Sequence, residues 1–370
     1  MKILIIMGTR PEAIKFAPLI KLLEKDPAFE LRICITGQHK EMLQQVLDFF
    51  EIIPHYDLNL MKHNQTLFDV SAGALTGLQP ILQEYKPGIV FVQGDTTTAF
   101  IGALAAFYEK CKIAHLEAGL RSADKFSPFP EEANRMLTGA IADYHFAPTE
   151  LAKKALAKEN IQKNVWVVGN TVVDALLLGL ENLKNRKIDF KEEFEYLDFE
   201  KPVILITAHR RESFGKPFED ICDAILEIKH FHPKVQFVYP VHFNPNVREV
   251  VNRKLANQEG IFLIEPLDYP RLIWLMEKST IILTDSGGIQ EEAPALGKPV
   301  LVMREVTERV EGIDAGTAKL VGTDKDVIVS NLHALLKNEN GIYEQMAKAV
   351  NPYGDGTTSQ QIITILKSLK

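Results

Sequence analysis

The chain has 370 residues, 46% of them hydrophobic and 25% charged. That length calls for two or three domains, and the composition excludes a disordered chain, a collagen-like fibre and a disulfide-stapled miniprotein. Lys and Arg number 42 against 49 Asp and Glu, a net charge of −7, so no overall basic excess exists to hold nucleic acid, while a local cationic pocket for a small anion stays compatible with that balance.

The apolar stretch 3–7 stops at Gly8 and is too short for a signal-peptide core. No apolar run reaches the roughly 20 residues that span a bilayer. Cys34, Cys111 and Cys222 lie far apart, without zinc or redox spacing. A cytoplasmic protein with buried thiols and no membrane partner is expected.

Short apolar runs alternate with helical stretches from the first residues on. Strands are predicted over 3–7, 31–36, 89–92, 113–116, 145–147 and 165–168, with helices over 12–23, 40–50 and 97–108. The pattern restarts with strands over 203–207, 236–239, 261–264, 281–284 and 300–302 and a helix over 218–229. Near-continuous apolar strands separated by helices predict α/β architecture, with parallel sheets covered on both faces. Residues 182–201 are rich in charge, without an apolar stripe, and are expected to separate the halves. The division expected is 1–170 and 171–354, and a last helix within 355–370 could return to the first domain. Two doubly wound domains facing one another would hold a ligand in a cleft, at the carboxyl ends of their strands.

Polar segments stand at those strand ends. Gly8-Thr9-Arg10-Pro11-Glu12-Ala13-Ile14-Lys15 follows the first strand, and a glycine turn, a proline at the helix start and two cations would welcome an anion there. The bland alternative is a strand–turn–helix with a solvated Arg10. Asp95 follows the strand over 89–92, with a helix N-cap as its alternative. Glu117 follows the strand over 113–116. Glu131 and Arg135, four apart, would otherwise be a surface helical pair. Three carboxylates at one sheet edge suggest acid/base work. His209, Arg210 and Arg211 leave the strand over 203–207 together, and an anion would relieve the repulsion of the adjacent guanidinium groups. Asp285-Ser286-Gly287-Gly288 follows another strand and offers backbone N–H groups to a phosphate. Capping by Asp285 or Ser286 explains the polar residues but not two successive glycines, which cost helix stability. Glu292, a turn further on, could take a ribose hydroxyl pair. Arg309 follows the strand over 300–302, and His242 ends a further one.

Taken together, GTRPEAIK at 8–15, GQH at 37–39, GDTTT at 94–98, HLEAGLR at 115–121, FPEEANR at 129–135, GN at 169–170, TAHRRE at 207–212, TDSGGIQEEAP at 284–294 and TER at 307–309 resemble the non-hydrolysing UDP-N-acetylglucosamine 2-epimerases over nearly the whole chain. The resemblance implies a glycosyltransferase-B-like fold of two Rossmann-like domains. It implies interconversion of UDP-GlcNAc and UDP-ManNAc for bacterial surface polysaccharides, a homodimer, and chemistry with no metal or redox cofactor. Carried over residue by residue, Asp95, Glu117, Glu131 and His209 match the catalytic groups. Arg10, Lys15 and Arg135 match cations of the cleft, Ser286, Gly287 and Gly288 the diphosphate cradle, Glu292 the ribose contact and Arg309 a cation near the nucleotide. Gln38, Gln65, Arg210 and His242 match an allosteric nucleotide site.

Four positions depart from the family pattern. Val310 replaces a usual proline, and Leu272 stands where some members carry an aromatic residue near the uracil. Glu41 and Asn64 replace a glutamine and an arginine of allosterically activated members, so a second anionic nucleotide should bind less well here. Gly8-Thr9-Arg10-Pro11-Glu12 favours UDP-GlcNAc over a 2,3-diacetamido uronic acid nucleotide, whose epimerases tend to carry Gly-Ala-Arg-Pro-Gln. A hydrolysing 2-epimerase, a glycosyltransferase of the same fold, which would need an acceptor, and a nucleotide-sugar sensor without catalysis are the remaining alternatives.

Overall fold

The computed structural model describes residues 1–37, 40–61, 65–122 and 124–369, with Lys40 by its backbone alone. The chain forms two compact units, one of residues 1–178 with 353–370 and one of residues 179–352.

In the first unit β1 (Lys2–Met7) is followed by α1 (Arg10–Lys25), β2 (Glu30–Ile35), α2 (Lys40–Phe49), β3 (Tyr56–Asp57), α3 (Leu67–Tyr85) and β4 (Ile89–Gln93). Then come α4 (Thr97–Tyr108), β5 (Lys112–Leu116), α5 (Glu131–Ile141), β6 (Tyr144–Ala147), α6 (Glu150–Lys158), β7 (Val165–Val167) and α7 (Thr171–Asn185). The strands pair in parallel, in the order β3-β2-β1-β4-β5-β6-β7. Every residue of β4 is buried, as a strand covered by helices on both faces must be. Leu4, Ile6, Val90, Val92 and Ile113 of this sheet pack against Leu78 and Leu82 of α3 and Ala99 and Ala103 of α4.

The second unit repeats the plan. After β8 (Val203–Thr207) come α8 (Lys216–Phe231), β9 (Gln236–Pro240), α9 (Pro245–Leu255), β10 (Ile261–Ile264), α10 (Tyr269–Lys278) and β11 (Ile281–Thr284). They are followed by α11 (Gly287–Glu292), β12 (Val300–Val302), α12 (Val310–Asp314), β13 (Ala318–Leu320), α13 (Lys325–Leu336) and α14 (Ile342–Lys348). The strand order is β10-β9-β8-β11-β12-β13, again parallel. The expected α/β class, with two doubly wound sheets, is the one observed. The edge strands β3 and β13, with two and three residues, are too short to carry a hydrophobic period and were not predicted.

The stretch expected to separate the halves is instead packed into the second unit. Phe190, Phe194 and Phe199 gather around Trp274, with ring centroids 6.1, 5.4 and 5.5 Å away, and Phe194 is only 1% exposed. High charge in the sequence hid three aromatic anchors. At the other end α15 (Thr358–Ser368) packs on α1. The Asp174 carboxylate accepts from the Ser359 N–H at 2.6 Å, and Lys367 pairs with Asp26 at 2.6 Å. Among the described residues, no helix is long and apolar enough to cross a membrane.

If the Phe194 stack is structural, Phe194→Ala costs about 3–5 kcal/mol, the usual loss for a buried phenylalanine. Urea unfolding followed by tryptophan fluorescence reads it. A change within about 0.5 kcal/mol, as at ordinary surface positions, would return the segment to the status of a linker.

Candidate active site

In open α/β sheets, ligands bind outside the carboxyl ends of the strands where the strand order reverses. In the first unit that place lies between β1 and β4, so the loops after β1, β4 and β5 define it. Gly8 is there because the backbone has no room: an added Cβ would run into the hydroxyls of Thr36 and Thr98. Glu12 is 1% exposed and ties two loops together. It accepts from the Gly8 N–H at 3.0 Å, the Thr9 N–H and hydroxyl, both at 2.8 Å, and the Thr96 hydroxyl at 2.8 Å. Burial raises its pKa while these hydrogen bonds pull it down. Arg10, half-buried, is the first residue of the helix so anchored.

Thr96, not Asp95, caps α4, accepting from the Ala99 N–H at 3.0 Å. The Asp95 side chain therefore serves elsewhere: it pairs with Arg135 at 2.6 Å. Arg135 also holds Glu132 at 3.0 Å, so its ion pairs among the described residues are with Asp95 and Glu132, and the bland alternative of an i,i+4 pair with Glu131 is not what forms. Burial opposes the Arg135 charge, but Asp95, Glu132 and Glu117 outweigh it and hold the guanidinium above its ordinary pKa. Glu131 opens α5, and its Oε2 is buried without a hydrogen-bond partner among the described residues.

Glu117 has a left-handed backbone, φ 63°, a conformation that costs a non-glycine residue about 1–3 kcal/mol and clusters at functional sites. Its carboxylate pairs with Lys15 at 2.5 Å and accepts from the side-chain amides of Gln93 and, at 3.3 Å, Asn170. Lys15, Glu117, Arg135 and Asp95 thus form one alternating charged cluster. Below it, His115 is 1% exposed and its Nε2 faces the Gly94 carbonyl at 2.7 Å. A carbonyl only accepts, so Nε2 carries the hydrogen.

In the second unit the order reverses between β8 and β11. His209, Arg210 and Asp285 meet there: Asp285 Oδ2 accepts from the His209 and Arg210 N–H groups at 2.6 and 2.8 Å. His242 stacks on His209, with centroids 5.0 Å apart and planes at 15°, and burial first, then His209, lowers its pKa. Neither Asp285 nor Ser286 caps α11: Asp285 reaches back to the β8 loop and Ser286 makes no side-chain cap bond. An added Cβ at Gly287 or Gly288 would meet only ordinary contacts at 3.6 Å, and neither glycine has positive φ. Packing among the described residues thus does not require these glycines.

Glu292 accepts from the Tyr269 hydroxyl at 3.2 Å. Arg309, 8% exposed, passes beside Gly287 and pairs with buried Glu291 at 2.6 Å and Glu308 at 3.3 Å. Burial alone would push the Glu308 carboxyl up, but Arg309 and Arg304 pull it down to about 2. Of the allosteric candidates, Arg210 donates from Nε to the Asp285 carbonyl at 3.1 Å and His242 lies on His209. Gln65 belongs to the first unit and donates to the Leu60 carbonyl. Gln38 lies outside the described residues, as does Asn64.

The UDP-N-acetylglucosamine 2-epimerase family model matches residues 21–367. The chain belongs to that family. It is 53% identical to the UDP-N-acetylglucosamine 2-epimerase of Salmonella typhimurium strain LT2, over 100% of this chain and 99% of the relative. The UDP-GlcNAc 2-epimerase of Neisseria meningitidis, solved bound to UDP-GlcNAc, overlays with a TM-score of 0.92 at 48% identity, covering 100% of both chains. The enzyme of Methanocaldococcus jannaschii, solved with UDP-GlcNAc and UDP, does so at 0.81 and 35% identity, again covering 100% of both. The family's glycosyltransferase-B-like fold agrees with the two parallel sheets.

For this family member, sequence reasoning gave no role to Gln93, Glu132, Asn170, Tyr269 and Glu291, although Glu132, Asn170 and Glu291 lie within motifs it singled out. Gln93 had a signal, a polar residue closing an otherwise apolar strand. Tyr269 had none, since its partner lies 23 residues away.

Two buried histidines give the epimerase-family fold a pH dependence. Burial lowers His115 and, opposite it across β5 and β6, His145 from 6.5 to about 4. Between those values the unfolded chain binds protons that the folded chain refuses, so stability present above pH 6.5 is lost as pH falls toward 4. The loss expected between pH 7 and pH 4.5 is about 2 kcal/mol per histidine, read by urea unfolding at the two pH values. His115→Asn should flatten the dependence, and equal slopes in both proteins would contradict it.

Proposed function

We propose that this chain interconverts UDP-GlcNAc and UDP-ManNAc by eliminating UDP and adding it back. A carboxylate removes the C2 hydrogen as a proton. The C–H electron pair becomes the C1–C2 double bond, and the C1–O pair leaves with UDP, giving a 2-acetamidoglucal. In the return step a phosphate oxygen of UDP bonds to C1, and C2 takes a proton on its opposite face. Inversion therefore needs acid and base groups on two faces, which one carboxylate does not supply.

The observation that carries this reading is the charged cluster at the β1–β4 reversal. Asp95 and Glu117 are each held by a cation, Arg135 and Lys15, and Glu131 stands one helical turn from Arg135. Such held carboxylates are positioned before substrate arrives. Asp95, Glu117 and Glu131 divide the base and acid roles. Arg10, His209, Arg309 and the Ser286–Gly288 segment take the charge that builds on the departing diphosphate, and Glu292 takes the ribose. A sensor without turnover has no use for this acid/base set.

The reading includes a cytoplasmic enzyme that supplies surface polysaccharide synthesis and works as a homodimer. Exposed Phe68, Phe107, Tyr108, Met136 and Leu137 on the contacting helices α3, α4 and α5 supply apolar surface for the dimer. Light scattering at the monomer mass would remove the dimer.

A proton NMR time course with UDP-GlcNAc in D₂O tests the activity. The expected result is a growing UDP-ManNAc anomeric signal with deuterium entering C2. Free ManNAc with UDP would indicate a hydrolysing enzyme. Binding of UDP without turnover of UDP-GlcNAc would indicate a sensor or an enzyme of another nucleotide sugar. Asp95→Asn, Glu117→Gln and Glu131→Gln should each lower kcat by about 10²-fold or more, and near-normal turnover in all three would overturn their assignment.

A further inference from the structure

Asp285 ends β11 and is 1% exposed. Its Oδ2 is occupied by the backbone N–H groups of His209 and Arg210. Its Oδ1 is buried and has no hydrogen-bond partner among the described residues. The His209 ring nitrogen Nδ1 stands 3.4 Å from that oxygen. A buried acceptor without a donor carries a desolvation penalty, and a small rotation of the imidazole turns this approach into an N–H···O bond.

The surroundings hold the ring close to that position. The Tyr239 hydroxyl donates to the Ala208 carbonyl at 2.7 Å, just before His209. Arg210 Nε donates to the Asp285 carbonyl at 3.1 Å, just after it. His242 lies flat against the His209 ring, and its own Nδ1 accepts from the Asn244 N–H at 3.1 Å. The His209 backbone is therefore fastened to the same carboxylate that its ring faces, while the ring itself keeps 46% of its side chain exposed.

We infer that Asp285 is a positioning residue: it takes the Nδ1–H of His209 and fixes the ring's orientation, so that the imidazolium, with a proton on each nitrogen, directs its Nε2–H at the departing diphosphate. The inference rests on the role proposed above for His209. It gives a reason for an aspartate before Ser286-Gly287-Gly288 that helix capping does not give, since the carboxylate points away from α11. A carboxylate that orients a histidine through Nδ1 is a general device, and replacing it by an amide offers N–H where an acceptor is needed.

Asp285→Asn tests this, because the amide oxygen can still take both backbone N–H groups while its NH₂ faces Nδ1. The expected result is a kcat for UDP-GlcNAc lower by about 10²-fold with KM within about threefold, a loss specific to the transition state. In a His209→Asn background the same change should alter kcat by less than about twofold, because residues acting as one unit are not additive. An unchanged kcat, or an equal loss in both backgrounds, would overturn the inference, the second by showing a role independent of His209. Nitrogen-15 NMR of wild-type protein labelled at histidine, with the His209 signals assigned by their loss in His209→Asn, decides the matter without Asp285→Asn. Neutral His209 should carry its hydrogen on Nδ1, and a hydrogen on Nε2 would overturn the inference even if the variant does not fold. Wild-type protein that shows the Nδ1–H tautomer but no turnover of UDP-GlcNAc would uphold the positioning and remove the proposed function.

Discussion

Glu117 puts a carboxylate beneath the surface of the first unit, 8% exposed, and a buried charge persists only when paired and hydrogen-bonded. Partners among the described residues include Lys15 on α1, Gln93 at the end of β4 and Asn170 just before α7. The Asn170 N–H is in turn held by the Tyr353 carbonyl at 2.7 Å, so the returning C-terminal segment buttresses a donor of the central carboxylate. Losing one donor would leave part of a buried charge uncompensated, which generally costs more than the intact pair contributes. The left-handed backbone at Glu117 adds strain that this surrounding network must hold in place.

The second unit uses its carboxylates differently. Asp285, Glu291 and Glu292 follow β11 within eight residues, and each is tied to a different group: the His209 loop, Arg309 and Tyr269. A cation already gripped by a buried carboxylate has little freedom left to lose when an anion arrives. Such preorganisation is the main way in which fixed charges assist a reaction in which charge builds on a leaving group. Both sheets place these groups at the point where strand order reverses, so one backbone plan generates two stations of different chemistry.

Much of this was legible from sequence, for identifiable reasons. Parallel strands buried on both faces announce themselves as unbroken apolar runs, so β1, β4, β8 and β11 and the loops behind them could be placed. The polar residues at those loops, Asp95, Glu117, His209 and Ser286 among them, stood out against that apolar background. Their partners did not. The choice of Arg135 for Asp95 over Glu131 depends on how α5 is turned, which spacing alone leaves open. The capping alternatives for Asp95 and Asp285 failed because Thr96 caps α4 and the Asp285 carboxylate turns back to β8, facts of side-chain direction. Phe190, Phe194 and Phe199 were overlooked because charged neighbours diluted them, and only Trp274, distant in sequence, gives them a common core.

Detachment of UDP from C1 is the step on which the proposed chemistry turns, and positional isotope exchange measures it most directly. UDP-GlcNAc carrying oxygen-18 in the bridge between C1 and the β-phosphorus should, during epimerisation, move that label into non-bridging β-phosphate positions, because free UDP can rotate before it adds back. Epimerisation with the label fully retained in the bridge, together with no 2-acetamidoglucal and UDP released on long incubation, would contradict the account.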